Sequence, residues 1–313
     1  MPPGQMLDPS LVESEFMLSA LGEGIRIDAR SFVQAREVEV NFGEELGNVS
    51  LHLGGTAVST SIRATLIPPR PDRPYEGFLQ ITTDISPMAG TEYDSSGGQA
   101  SARNREILFD RLVEKAVRRT EAVDREALCV VAGEQVWNIH LTVHLLADQG
   151  AAVDAAVLCS LLALRHFRRP DYSIENGNQV HLYSSDQRVP VPLAIHHTPL
   201  CVSFAIFNHV PASVSGESTE KSNSSSSGAS VPTKSVALLD PSLLEESLAD
   251  SKLTLVLNAQ REICVLDKSY GSPISPQTLL ELIQLGLSRV QSLTNLLENA
   301  LKSDAQSRVL EVI

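Results

Sequence analysis

Apolar and polar residues alternate along much of the chain, and the places where the period changes mark out its elements. "REVEVNFG" and "NVSLHLGGTAVSTSIRATLI" put Val, Leu and Ile on alternate positions and break at Gly43, Gly47 and Gly54-Gly55. A period of two belongs to strands with one buried face, so these segments predict antiparallel strands. "FLQITTDISPM" predicts another, and "LCVVAGEQVWNIHLTVHLLA" predicts two more or a single bent one. Between them, residues 104–120 carry apolar side chains at helical spacing. Residues 151–168 are apolar almost throughout, which predicts a helix buried on all sides near the centre of the molecule.

The second half repeats this grammar. "QVHLYS", "LCVSFAIF", "SVALLD", "LTLVLN" and "EICVLD" predict strands. "SPQTLLELIQLGLSRVQSLTNLLENALKS" predicts a long amphipathic helix with Ser275 as N-cap and Pro276 in its first turn. Strands then helices, twice over, predict an α+β fold with an internal duplication. The expected division is residues 13–194 and 195–305, with residues 1–12 and 306–313 as loose ends. An insert at 211–234, containing "SVSGESTEKSNSSSSGASVPT", has too few large apolar groups to pack and is expected to be a disordered surface loop.

Composition narrows the classes further. The chain has 313 residues, 42% hydrophobic and 20% charged, which suits a globular protein of one large or two modest domains. Cys129, Cys159, Cys201 and Cys264 lie far apart and form no C-x-x-C pair, which argues against zinc and redox motifs and for a reducing compartment. "MPPGQMLDPSLVESEF" lacks the basic-then-apolar order of a secretory signal, and no apolar run is long enough for a membrane span. The formal net charge is −13. Phosphate neutralisation supplies much of the affinity for nucleic acid, so a chain of this charge is not expected to bind it unaided. Any such contact must be local and shared with partners.

One segment reverses the sign. In and around "NREILFDRLVEKAVRRT", Arg103, Arg105, Arg111, Lys115, Arg118 and Arg119 outnumber Glu106, Asp110 and Glu114. Arg111, Lys115 and Arg118 are spaced i, i+4, i+7 and share one helix face. Such a face is either a backbone-binding strip for a single strand or a solvated surface with a few ion pairs. His140 and His144 share a strand face but have no third ligand nearby, so core or interface histidines are expected rather than a metal site. His196-His197 reads as structural, and Trp137 as core or interface. Arg165, Arg168 and Arg169 close an apolar helix, where cations suit the dipole.

"IRIDAR", "DRPYEGF", "RLVEKAVRR", "LCVVAGEQVWNIHLTVHLL", "VDAAVLCSLLALRHFRRPD" and "VPLAIHHTPLCVSFAIF" together resemble RNase PH-like subunits of the eukaryotic RNA exosome. The resemblance runs in order over roughly residues 13–302 and leaves out the Ser-rich insert. It implies the RNase PH-like fold, two βαβ-rich halves of the ribosomal protein S5 domain 2-like kind with sheets packed on helices. It also implies a ring of six such chains around a channel, with S1/KH caps on one face and a processive hydrolytic exoribonuclease on the other. This chain would pair with the subunit of the 41 type and neighbour the 46 type. Single-stranded RNA contact is implied for Arg111, Lys115 and Arg118, although relatives often carry Arg at the position of Lys115. Arg73 either faces the channel or is a surface loop charge. The implied setting is nucleus and nucleolus, and also cytoplasm, with no cofactor and no metal.

Catalytic members of that family cleave RNA with inorganic phosphate. They carry a phosphate-cradling turn with Arg and a hydroxyl at a strand-to-helix junction, and an acidic group further on. Here the turn is Gly150-Ala151-Ala152-Val153, without either, and the acidic position is Pro190. Ser160 is two turns into the helix, and the charge of Asp154 would repel phosphate. Asp148 and Asp154 are expected to cap the helix or bond the turn. Two functions are therefore in play: a non-catalytic ring subunit that guides RNA, or a phosphate-dependent 3′–5′ exoribonuclease in its own right. The turn favours the first.

Overall fold

A computed structural model of the chain describes residues 9–90, 93, 100–175, 179–184, 187–211 and 233–308. The first helix, α1 (Leu11–Gly22), starts two residues inside the segment expected to be loose. The cause is a capping box: Ser10 Oγ accepts from the Glu13 N–H, and the Glu13 carboxylate accepts from the Ser10 N–H.

The alternating segments then form β1 (Val38–Phe42), β2 (Val49–Leu53), β3 (Thr56–Ile67) and β4 (Phe78–Ile85). Helix α2 (Ala100–Val117) follows, and the bent segment resolves into β5 (Cys129–Val131) and β6 (Gln135–Ala147). The first sheet runs β1-β2-β3-β6-β4, with β5 also paired to β6. Its neighbours are antiparallel except β4 and β6, which run parallel because α2 carries the chain across between them. In β6, Ile139, Leu141, Val143 and Leu145 face the core, and His140 and His144 lie on the opposite face.

Helix α3 (Ala152–His166) buries twelve of its fifteen residues, because it is packed from several sides. It lies on β2, β3 and β6 of the first sheet and also on the second sheet, and it touches α2. Two small ribbons follow: β7 (Arg168–Arg169) with β10 (Val191–Pro192), and β8 (Tyr172–Glu175) with β9 (Gln179–Leu182).

The second sheet is built from β11 (Leu200–Pro211), β12 (Thr233–Leu239), β13 (Ser251–Leu257) and β14 (Ile263–Ser269), in the order β12-β11-β13-β14. Each adjacent pair is antiparallel. Consequently β12 and β13 run parallel on either side of β11, joined through the short helix α4 (Leu243–Leu248), a βαβ unit split by one strand. Strand residues thus reach to Pro211 and resume at Thr233, so the insert is narrower than expected; its interior, 212–232, lies outside the described residues.

The last helix, α5 (Pro276–Ser307), starts where expected, with Ser275 Oγ accepting from the Thr278 N–H. It packs on β11, β13 and α3, while α2 touches both β4 and β14. A single apolar core therefore runs from the first sheet through the helices into the second. A separate cluster places Met17 and Leu21 of α1 with Phe207 and Leu238 of the second sheet. No described helix is long and apolar enough to cross a membrane.

Candidate functional site

The shared face of α2 sends its three cations to different places. Arg111 is exposed, with no hydrogen bond or ion pair to another described residue. Lys115 Nζ reaches Asp267 Oδ1 on β14 at 3.2 Å. Arg118, in the turn after α2, donates to Glu114 Oε1 at 2.8 Å and lines an open cleft of about 470 Å³. There it meets Arg73, from the Pro-rich loop between β3 and β4, and two arginines that sequence reasoning missed, Arg70 and Arg125. Ile67, Gln80 and Asn138 complete part of the lining.

The loop is pressed into this place by its own backbone. The Gly77 N–H donates to Arg125 O at 2.9 Å, and a Cβ on Gly77 would lie 2.4 Å from Leu128 Cβ. The Arg70 guanidinium sits 5.3 Å from the centre of the Phe78 ring. Glu76 is shared, 2.9 Å from Arg73 and 3.5 Å from Arg125. Arg73 and Arg118 keep about half or more of their side-chain surface, at 64% and 44%. Exposed pairs of this kind contribute little to stability. The guanidinium forks can therefore exchange a carboxylate for a phosphodiester at small cost. Arg70 stands three residues from Arg73 in a stiff loop, a signal that could have found it; Arg125 lies in a loop with no periodic pattern and gave none.

The turn after β6 is closed by its own chain. Gly150 has φ +92°, and a Cβ there would meet Pro241 O at 2.5 Å; Ala151 is also left-handed, at φ 51°. The N–H groups of Gln149, Gly150 and Ala151 donate to Thr56 Oγ1 (3.1 Å), Asp148 Oδ1 (2.9 Å) and Glu246 Oε1 (2.8 Å). The carbonyls of Gln149 and Gly150 accept from Arg36 at 3.1 and 2.9 Å. Asp240 fixes that arginine, with Oδ1 2.6 Å from Nη2.

Asp148 bonds the turn, as expected, and also accepts from Tyr93 Oη at 2.6 Å. Burial, with the Asp148 charge beside it, pushes the tyrosine hydroxyl far above its usual range. Asp154 departs from expectation. It neither caps α3 nor bonds the turn but accepts from Ser203 N–H and Oγ on β11, both at 2.7 Å. One turn into α3, it faces the second sheet, and burial raises its pKa despite these bonds. Ser160 is buried and donates to Ala156 O, and Pro190 is half-buried ahead of β10.

The remaining candidates make contacts within the chain. His140 shares a hydrogen bond with Thr82, and His144 lies 3.2 Å from Asp84, both across to β4. No group of three or more His, Cys, Asp or Glu is placed to hold a metal among the described residues. His196 bonds Ala122 O through its backbone N–H. Arg168 donates to the carbonyls of Arg165 and Phe167 at the end of α3, and Arg169 to Ala127 O. Trp137 is buried.

Comparison with known proteins agrees with this architecture. The model of the 3′ exoribonuclease family, domain 1, matches residues 34–170, and that of domain 2 matches residues 197–289. The Exosome complex component RRP45 of Saccharomyces cerevisiae is 36% identical over 304 residues, covering 96% of this chain and 94% of its own. Its namesake in Schizosaccharomyces pombe is 34% identical over 302 residues, with the same coverage. Among solved structures, a chain of the Archaeoglobus fulgidus exosome with RNA bound to the active site superposes with a TM-score of 0.70 at 22% identity, covering 91% of this chain and 97% of that one. At that identity the likeness establishes the fold.

Proposed function

This chain belongs to the 3′ exoribonuclease family of the RNase PH type, and on that premise we propose that it is a non-catalytic ring subunit of an RNA exosome. It scaffolds the core and guides single-stranded RNA through a central channel for 3′–5′ processing and decay of rRNA, mRNA and other RNAs. The names of the two yeast relatives and the exosome fold support the assembly. The observation that carries the reading is that the turn opening α3 spends its N–H groups on the chain's own oxygens. Phosphorolysis needs donors converging on an anion that will attack in line. Here, two of the turn's carbonyls face Arg36 instead.

RNA contact falls to the cleft of Arg73 and Arg118, with Arg111 further along α2. Lys115, already paired to Asp267, plays the smaller part. The net charge of −13 is offset because cations of neighbouring chains share the channel. The partners in this reading are the 41-type and 46-type ring subunits, S1/KH caps and a docked hydrolytic exoribonuclease. The setting is nuclear and nucleolar, and also cytoplasmic.

The first test is the native mass and composition of the tagged chain drawn from its own cells. A hetero-oligomeric ring bearing caps and a nuclease is expected. A homo-oligomer that shortens RNA only when phosphate is supplied would overturn the reading.

A further inference from the structure

Helix α1 carries apolar residues on two faces and buries one of them. Met17 and Leu21 turn inward onto Phe207 and Leu238 of the second sheet. Val12, Phe16 and Ala20 are spaced by four and form a second stripe on a different face. Val12 is 75% exposed and Phe16 64%. The Ile25 N–H donates to Ala20 O at 3.0 Å, which sets Ile25, also exposed, at the far end of that stripe. Single exposed leucines are ordinary on a protein surface, whereas a contiguous stripe with an aromatic anchor marks a contact. A helix apolar around most of its circumference is one enclosed from more than one side. The rim of the stripe is acidic. Glu13, Glu15 and Glu23 are exposed and form no ion pair with another described residue. Residues 9–25 hold no Lys or Arg. The two cations that follow are already taken, Arg26 by Glu245 and Arg30 by Asp28 and Asp240.

We propose that the outward face of α1 docks a segment of another protein chain in which lysines or arginines flank apolar anchors. Charge selects this occupant over the alternatives. A second copy seated face to face would bring the same carboxylates against these, and RNA or an anionic lipid surface would be repelled likewise. The chain's own segments outside the described residues do not supply the cations, since their charged side chains are Asp8, Glu92, Asp94, Asp186, Glu217, Glu220 and Glu311 against Lys221 alone. A basic segment meets the acidic rim, and its apolar residues cover Val12, Phe16 and Ile25. An aromatic anchor inside a charged rim is the layout in which a few central residues carry most of the binding energy. The inference goes beyond the RNA reading and does not rest on it, because α1 packs on the second sheet and lines neither the arginine cleft nor the turn opening α3.

The test places a photoreactive group on the stripe, as Phe16→p-benzoylphenylalanine, in the full chain made in its own cells. The assembly is purified and irradiated, and the cross-linked peptide is sequenced by mass spectrometry. The expected product is one dominant segment of a different protein with at least two lysines or arginines beside its apolar residues. A cross-link to this chain's own residues, to RNA, to lipid or to a segment without cations overturns the proposal, as does the absence of any product. Charge is tested separately in the same labelled chain by Glu15→Lys with Glu23→Lys, which should lower the cross-link yield by about tenfold or more. An unchanged yield overturns the choice of a basic occupant. All three side chains are exposed, so thermal unfolding of the purified chain should match wild type. A labelled chain that unfolds well below wild type would make this face part of the chain's own core and overturn the docking surface.

Discussion

Arg26 is fully enclosed, and its guanidinium donates to both carboxylate oxygens of Glu245 and to the carbonyls of Leu239 and Asp240. Replacing it by Met would strand Glu245 as a buried charge, a loss of about 3–5 kcal/mol; urea unfolding of Arg26→Met measures it. His166 makes a second prediction. Its Nδ1 accepts from the Gly47 N–H, Asp304 lies 3.1 Å from Nε2, and burial, aided by Arg308 and Arg168, lowers its pKa below 6.5. The folded state therefore holds the neutral ring, and the unfolded chain takes up the proton first. The stability that this group supplies is complete above pH 6.5 and is lost as pH falls through the depressed folded value. His166→Asn, which keeps an acceptor for Gly47, should flatten the acid limb of stability against pH relative to wild type. At the cleft, Arg73→Ala with Arg118→Ala should lower the salt slope of RNA retention by the assembled ring by about 1.4, two single-strand phosphate contacts at about 0.7 each. If the ring dissociates instead, these arginines hold an interface.

At the scale of elements, α5 separates packing from surface. Leu282, Gly286, Val290, Leu293 and Leu297 line its buried face, and Leu280 is 61% exposed. Leu297→Ala should cost about 2–5 kcal/mol, whereas Leu280→Ala should stay within about 0.5 kcal/mol; thermal unfolding of both variants distinguishes them. This helix was legible because Ser275 and Pro276 mark its start and its period holds for eight turns' worth of residues. The apolar run of α3 and the alternation of β6 were legible for the same reason, that burial writes itself into local sequence. Helix α4 was not, since "LLEESL" is too short to show a period, and its Glu246 acts on a turn almost a hundred residues earlier. The cleft was half legible. Arg118 could be nominated from local charge and Arg73 from its stiff loop, but their meeting with Arg125 depends on how Gly77 brings the β3–β4 loop against Leu128 and the Arg125 carbonyl, which no local pattern encodes.

For the whole molecule, the halves share their helices. α3 rests on β2, β3 and β6 on one side and on β11 on the other, so the halves have no separate cores. A fragment ending at residue 195 would leave the far side of α3 uncovered. It should be degraded by a protease under conditions where the full chain resists, and it should bind a hydrophobic dye; a compact, resistant fragment would refute the shared core.

The position of α3 also sets a timetable for synthesis. Its apolar side chains leave the ribosome long before their second wall is complete, because β11, which covers them, is flanked in its sheet by β13, and β13 ends roughly ninety residues later. At typical rates of translation this delay is on the order of ten seconds. During it, a helix of Val, Leu and Ala has only half a molecule to hide in. The growing chain is then a client for a holding chaperone, and slow codons between α3 and β11 would lengthen the vulnerable interval.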